Sequence, residues 1–313
     1  MKTLPILAGA LGMAFVGGSA AVSGRLADAP YLTVQSLRYA LACLLLIGWA
    51  RWTRAPLRLP RGAEWLWLLG VTGTGLLLFN VALVRGSMHA EPAVLGVAVA
   101  CVPILLAVGG PLLEGRGPAP RVIAAAVVVT AGAALVQGLG RTDGIGLFWA
   151  AVTFACEAAF TLLALPVLGR HGPLGVSVHT TAMATVLFGV AGVAVEGPTA
   201  VTRLHTDDLL AGAYLAVLLT AVAFLLWYTC VARLGAGRAG LLTGVAPIAA
   251  ALTGMALGGP SPRPLVWLGI ATVAAGLALG LTTRRPAPTP PQLTTTAASA
   301  PGKRRWASAE VPG

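Results

Sequence analysis

Residues 96–135 read GVAVACVPILLAVGGPLLEGRGPAPRVIAAAVVVTAGAAL, and residues 240–279 read GLLTGVAPIAAALTGMALGGPSPRPLVWLGIATVAAGLAL. They align without a gap at an offset of 144, and fifteen of the forty pairs are identical. Among these are Gly96/Gly240, Pro103/Pro247, Ile104/Ile248, Ala107/Ala251, Gly110/Gly254, Pro120/Pro264 and Gly132/Gly276. Each stretch is a pair of apolar runs joined by a Gly/Pro-rich turn. The chain therefore carries a duplication, clearest in this pair of segments and weak in the rest of each half.

Similar apolar runs continue on both sides. A helix needs about 20 mainly apolar residues to cross a bilayer. Ten runs qualify, at roughly 4–22, 31–50, 63–84, 91–113, 120–138, 144–168, 173–195, 207–231, 237–258 and 264–282. Proline or acidic residues open several of them, as at Pro30, Glu91-Pro92, Gly172-Pro173 and Asp207-Asp208. Both suit a helix N-terminus, which has spare N–H groups and a positive dipole end. The runs are too long and too uniform for barrel strands. In the first run, Lys2, the apolar stretch and Ser19-Ala20-Ala21 also read as a signal peptide; an uncleaved span completes the repeat.

Composition agrees. Of 313 residues, 57% are hydrophobic and 10% charged, against roughly 25% charged in soluble domains; mean hydropathy is +0.85. That excludes an ordinary soluble enzyme and a disordered chain. The sequence pI of about 10.7 reflects topology, not a nucleic-acid partner. Fifteen Lys and Arg fall in the loops and ends on the side of the N-terminus and five on the other side. The positive-inside rule then puts both termini in the cytoplasm. The four cysteines lie in apolar runs, and no cysteine or histidine has a metal-ligand spacing, so no metal or cofactor is expected.

Ten spans in two copies give five per copy. Five is odd, so the second copy enters the membrane from the opposite side. The expected fold is an all-α integral membrane protein of ten transmembrane helices in two inverted five-helix repeats, the architecture of many alternating-access transporters. The expected units are residues 1–138, residues 139–282, and a basic Pro/Thr-rich tail at 283–313 whose composition reads as disordered.

Several motifs carry a resemblance to a known family. They are Leu37-Arg38-Tyr39 in the second span, Val102-Pro103-Ile104 in the fourth, Ala131-Gly132 in the fifth, Leu226-Trp227-Tyr228 followed by Arg233-Leu234-Gly235-Ala236, then Ala246-Pro247-Ile248 and Ala275-Gly276. In order and spacing the chain resembles an EamA-type member of the drug/metabolite transporter superfamily over about residues 4–282. The resemblance implies ten helices, a central cavity and small-molecule transport, often export, across the cell membrane. It names no substrate. There are departures: the second copy has Gly258-Gly259-Pro260 where the first has Leu113-Glu114-Gly115, and Phe15 stands where the first span often carries tryptophan.

Polar residues inside the spans are the candidate site. Glu157 lies about 20 Å along the sixth span. An acid at that depth is costly unless paired, protonated or wet. Thr153, Glu157 and Thr161 share one helix face. Glu157 reads as a substrate or proton-coupling site, as half of an ion pair with Arg or His, or as a satisfied polar contact. Arg38 reads as an outer-interface anchor or as a cavity cation. His179 reads as a titratable site or as a core histidine bonded to Thr180 or Thr181. Asn80, Trp227 and Tyr228 are cavity candidates, although an aromatic stripe is more often packing. Pro103 and Pro247 are matched bend points, since a mid-helix proline frees a carbonyl. GxxxG patterns such as Gly240/Gly244 favour close helix packing, within the bundle or in a homodimer. No phosphate-binding loop and no nucleophile–base set is present, so transport by an ion or substrate gradient is expected and enzymatic activity is not, with the lipid bilayer and a small-molecule substrate as partners.

Overall fold

A computed structural model describes residues 3–19, 22, 26, 29–258 and 261–282. Lys2, Ala20-Ala21 and the tail 283–313 lie outside the described residues. The described part is helical: α1 Thr3–Gly18, α2 Tyr31–Trp52, α3 Glu64–Gly86, α4 Pro92–Leu113, α5 Pro120–Gln137, α6 Gly144–Leu162, α7 Leu165–Glu196, α8 Thr206–Leu234, α9 Ala236–Ala256 and α10 Pro264–Leu281. Among the described residues, nine helices, α2 to α10, are long and apolar enough to cross a membrane. Helix α1 is apolar but has 16 residues.

Local chemistry sets the ends. Proline opens α4, α5 and α10, where its missing N–H costs nothing. The Asp143 carboxylate accepts the Gly146 N–H at 2.7 Å and caps α6. Gly138, Gly197 and Gly235 follow α5, α7 and α8 with positive φ, a geometry that side chains resist. The sixth run is shorter than expected: α6 stops at Leu162, and α7 restarts at Leu165 with Pro166 in its first turn. The seventh helix then continues through a kink at Gly172 (φ 67°) directly before Pro173.

Besides α7, four helices are broken, and these fall in matched pairs. Helix α3 is π-helical over Val71–Leu78 and α8 over Leu215–Val222. These segments coincide at the offset of 144, so the repeat reaches beyond the stretch where identity shows it. Helix α4 is interrupted at Cys101, just before Pro103, and α9 by a 3₁₀ turn at Leu242–Gly244, just before Pro247. In α4 the Thr130 hydroxyl of α5 donates to the Ala100 carbonyl at 2.9 Å. The matched residue in α10 is Ala274, and α9 instead tightens into its 3₁₀ turn.

The halves interlock. Helix α1 packs on α8 and α9, and its counterpart α6 packs on α3 and α4. Helix α2 packs on its counterpart α7, and α5 on α10. The α5–α10 contact is reciprocal residue by residue. A Cβ on Gly132 would meet the Val273 nitrogen at 2.7 Å and the Gly269 oxygen at 2.8 Å. A Cβ on Gly276 would meet the Val129 nitrogen at 2.9 Å and the Ala125 oxygen at 3.2 Å. Residues 125, 129 and 132 correspond to 269, 273 and 276. The contact positions rise on one helix as they fall on the other, so the pair is antiparallel.

One contact has no reciprocal. The second half of α4 packs on the start of α9: a Cβ on Gly110 would meet the Ala236 Cβ at 2.7 Å, and one on Gly240 the Leu106 Cβ at 2.8 Å. The matched pair, the first half of α4 and the last half of α9, is not packed together. Every residue but Arg238 is buried between Ala236 and Gly244, whereas Val245–Ala256 has none buried.

Candidate substrate site

Helix α2 begins at Pro30 without a side-chain cap of its own. The cap comes from the far end of α7. The Glu196 carboxylate accepts the Leu32 N–H at 2.7 Å, the Thr33 N–H at 2.9 Å and the Thr33 hydroxyl at 2.7 Å. Four spare N–H groups at a helix start attract such an anion. The Ser36 hydroxyl then donates to the Thr185 carbonyl at 2.9 Å. These bonds set the register of α2 on α7 and so the direction of Arg38.

Arg38 is buried, with 8% of its surface exposed. Its Nε–H donates to Thr220 Oγ1 at 2.9 Å and an Nη1–H to Gln35 Oε1 at 2.9 Å. An Nη2–H reaches the Tyr39 hydroxyl at 3.5 Å, and the guanidinium carbon sits 4.8 Å from the Tyr39 ring centroid. Gln35 Nε2 donates to Asn80 Oδ1 at 3.0 Å, and the Tyr31 hydroxyl donates to the same oxygen at 2.5 Å. Asn80 Nδ2 donates to the Leu76 carbonyl at 2.6 Å. Leu76 and Thr220 are matched positions in the two π-helical segments, and each supplies an acceptor. A π turn leaves backbone groups out of register with the helix, which is why such turns recur at working sites. Arg38 is thus a buried cation among neutral acceptors, and no carboxylate pairs with it among the described residues.

Glu157 lies on the α6 face expected. Thr153 and Thr161 are buried on either side of it, while Glu157 itself is half-buried. Trp227 Nε1 donates to Thr161 Oγ1 at 3.0 Å, and the Tyr228 hydroxyl donates to the Phe160 carbonyl at 3.1 Å. Thr153 donates to its own helix, at the Trp149 carbonyl. Among the described residues Glu157 makes no hydrogen bond and no ion pair, so neither the Arg/His pair nor the satisfied contact is present. Phe160 and Phe224, with ring centroids 4.9 Å apart, pack against the cluster holding Tyr39 and Phe188. Phe160 is also 5.2 Å from the Tyr228 ring. A layer of rings therefore runs from the Arg38 end to the Glu157 end.

His179 stands apart from both. Its Nε2 lies 2.9 Å from the Arg58 carbonyl, and its ring is 5.3 Å from that of His171. Thr180 and Thr181 bond their own helix, so the expected threonine partner is replaced by a loop carbonyl. His171 Nε2 is 3.2 Å from Glu64 Oε2, which also pairs with Arg170. The sequence candidates thus fall into an Arg38–Asn80 cluster, a Glu157–Trp227–Tyr228 cluster and a separate histidine site. Tyr31 and Glu196 are not among the sequence candidates, and Tyr39 is there only as part of the Leu37-Arg38-Tyr39 motif. Tyr31, Gln35 and Arg38 do share the spacing of one helix face, a signal that was available.

Nine apolar helices of crossing length among the described residues define a multi-pass membrane protein. Residues 144–282 match the EamA-like transporter family. The Uncharacterized transporter YetK of Bacillus subtilis (strain 168) is 25% identical over 284 residues, which cover 86% of this chain and 84% of that one. A protein of known crystal structure shares the fold, with a TM-score of 0.74 at 18% identity over 88% of this chain and 96% of that one. These comparisons support a membrane transporter whose residues 144–282 resemble the EamA-like family.

Proposed function

We propose that this protein is a secondary transporter that exports a small metabolite or drug-like molecule across the cell membrane by alternating access. In this reading α1 also crosses, both termini are cytoplasmic, and the five-helix halves are inverted repeats. The observation that carries it is the contrast between two helix pairs. Helices α5 and α10 meet reciprocally and antiparallel, as an axis in the membrane plane requires. Helices α4 and α9 meet at one end only. A two-fold frame with one unsymmetrical contact has a second state of equivalent geometry, in which the other ends of α4 and α9 close. With the termini inside, the closed end is cytoplasmic and the present state opens outward.

Glu157 is the proton or substrate group in this scheme. It sits mid-bundle on the face of Thr153 and Thr161, next to Trp227 and Tyr228, with no internal counter-charge. Pro103 and Pro247 follow the two breaks, where each moving helix has already lost its continuous ladder. The test is flux in proteoliposomes under an imposed pH gradient, with amino acids, polyamines and cationic dyes as solutes. Gradient-dependent flux of one solute is expected, and Glu157→Gln abolishes the gradient dependence while the protein remains folded. Unchanged pH dependence in that variant removes Glu157 from the mechanism. Downhill flux that ignores the gradient supports the rival reading, a facilitator or importer of an amino acid or nucleotide-sugar.

A further inference from the structure

We infer that Arg38 is a receptor for the carboxylate of a monoanionic substrate. The inference rests on the transport reading only in calling the ligand a substrate; the site stands on its own geometry. A guanidinium has five N–H donors. Here one goes to Thr220, one to Gln35 and one to Tyr39, which leaves one N–H on each terminal nitrogen. The terminal nitrogens are the prongs of a planar group that can match two carboxylate oxygens.

The charge balance points the same way. Arg38 lies about 11 Å along α2, at 1.5 Å per residue, and the surrounding acceptors are neutral. A buried cation in a membrane helix calls for a counter-ion. Glu157 does not serve, because no ion pair joins them. Among the described residues, six other acids are engaged elsewhere: Glu196 caps α2, Glu64 pairs with Arg170, Glu91 with Arg141, Glu114 with Arg116, and Asp143 and Asp208 lie against His89 and His205. One monoanion neutralises the site. A phosphate dianion would leave a net negative charge in the same low-dielectric surroundings, so the carboxylate is the better match.

The surroundings hold the fork still. The ring of Tyr39 stacks on Phe188, with centroids 5.3 Å apart, and flanks the guanidinium. Gln35 is fixed by Asn80, which Tyr31 and the Leu76 carbonyl fix in turn. Gln35 and Asn80 therefore position Arg38, and Thr220 orients its Nε edge. Arginine held this way loses little freedom when it pairs. The half-buried rings of Phe160 and Phe224 lie on the inner side of this cluster, toward Glu157, and offer apolar contact to the body of a ligand.

The experiment uses the full chain in nanodiscs and reads the unfolding midpoint against ligand concentration. The probes share one ring: phenylacetate, phenylacetamide and phenethylamine, with acetate and inorganic phosphate as controls. Phenylacetate is expected to raise the midpoint saturably, whereas the amide and the amine do not. Arg38→Gln abolishes that shift, and Arg38→Lys, which keeps the charge but loses the fork, weakens binding about tenfold. Thr220→Val, which leaves the cation in place, weakens binding less than Arg38→Lys. Equal shifts from the acid and the amide overturn the inference. So does an acid shift that survives Arg38→Gln, a response to phosphate alone, or no response to either carboxylate. Carboxylate binding without flux in proteoliposomes leaves this site standing and removes the transport reading. Flux of cations without carboxylate binding does the reverse.

Discussion

Helices α5 and α10 and helices α4 and α9 come from the same duplicated stretch, yet they behave differently. In α5 and α10 every close contact has its mirror at the offset of 144. Glycine lies at the crossing in both copies, so the backbones touch and the contacts are reciprocal. In α4 and α9 the glycines are also matched, as Gly96/Gly240 and Gly110/Gly254, but only Gly110 and Gly240 are packed between the two helices. Gly254 has open space around it, and a Cβ on Gly96 would meet the Gln137 side chain instead. Matched glycines therefore supply capacity to close at both ends, and the structure uses one. A frame and a moving part differ here in whether matched residues are used together or in turn.

The largest expected effect breaks the frame. Gly132→Val places a side chain against the Val273 nitrogen and the Gly269 carbonyl, both backbone atoms that cannot step aside. Overpacking of this kind costs about 3 kcal/mol. Loss of the monodisperse folded peak, or a sharply lower unfolding midpoint, is expected in size-exclusion and thermal assays. Gly276→Val should do the same, because it strikes the same contact from the other copy. A tolerated substitution at either position would undo the claim that the crossing is rigid.

An intermediate effect separates the second pair from the first. Gly110→Val meets the Ala236 Cβ, and either helix can retreat from it. The protein is expected to fold, with its α4–α9 end held apart and transport lost. With the four native cysteines replaced, Ala239→Cys is buried and should resist a water-soluble maleimide. Adding Gly110→Val should expose it. Gly254→Val, at the matched but unpacked position, should leave that labelling unchanged while slowing transport, because it obstructs the other state.

The smallest effect lies in the connections that cover the open end. Ala90 and Thr142 form a single antiparallel bridge, flanked by the Glu91–Arg141 and His89–Asp143 pairs at 3.0 Å each. The Gly146 N–H, followed by His89, holds the Asp143 carboxyl below its usual value, and Arg141 does so for Glu91. A carboxylate whose pKa is lowered on folding contributes stability above its ordinary value, which is lost as pH falls through the lower one. Thermal stability should therefore be flat above about pH 5 and decline below about pH 4. Asp143→Asn should reduce that acid sensitivity slightly, measured as the midpoint against pH.

Much of this was legible from the residues. Apolar run length gave the helices, and the matched prolines located the breaks in α4 and α9 to within a few residues. The polar face of α6 was also readable, because Thr153, Glu157 and Thr161 recur every fourth residue. The π-helical segments were not, since one extra residue in a turn leaves an apolar run apolar. Glu196 reads as a loop acid, and its role depends on a helix 163 and 164 residues away. The three separate clusters were invisible for the same reason: spacing puts side chains on a face, but only the packing of α2, α3 and α8 decides that Arg38 meets Asn80 through Gln35 and not Glu157. The separation of Gly110 from Gly254 is hidden altogether, because matched residues have no state until one contact is chosen.

The α5–α10 crossing also bears on ancestry. A contact in which residue i meets j while the equivalent of j meets the equivalent of i is isologous, the form found in two-fold dimers. The matching π-helical segments place that irregularity in the unit before it was copied. In the inverted-repeat reading proposed above, a single five-helix ancestor would have carried both halves of the α5–α10 interface on one surface and joined a second molecule lying the opposite way up. On that reading gene fusion turned a partnership between two chains into a property of one and left matched positions such as Thr130 and Ala274, or Asn80 and Phe224, free to diverge.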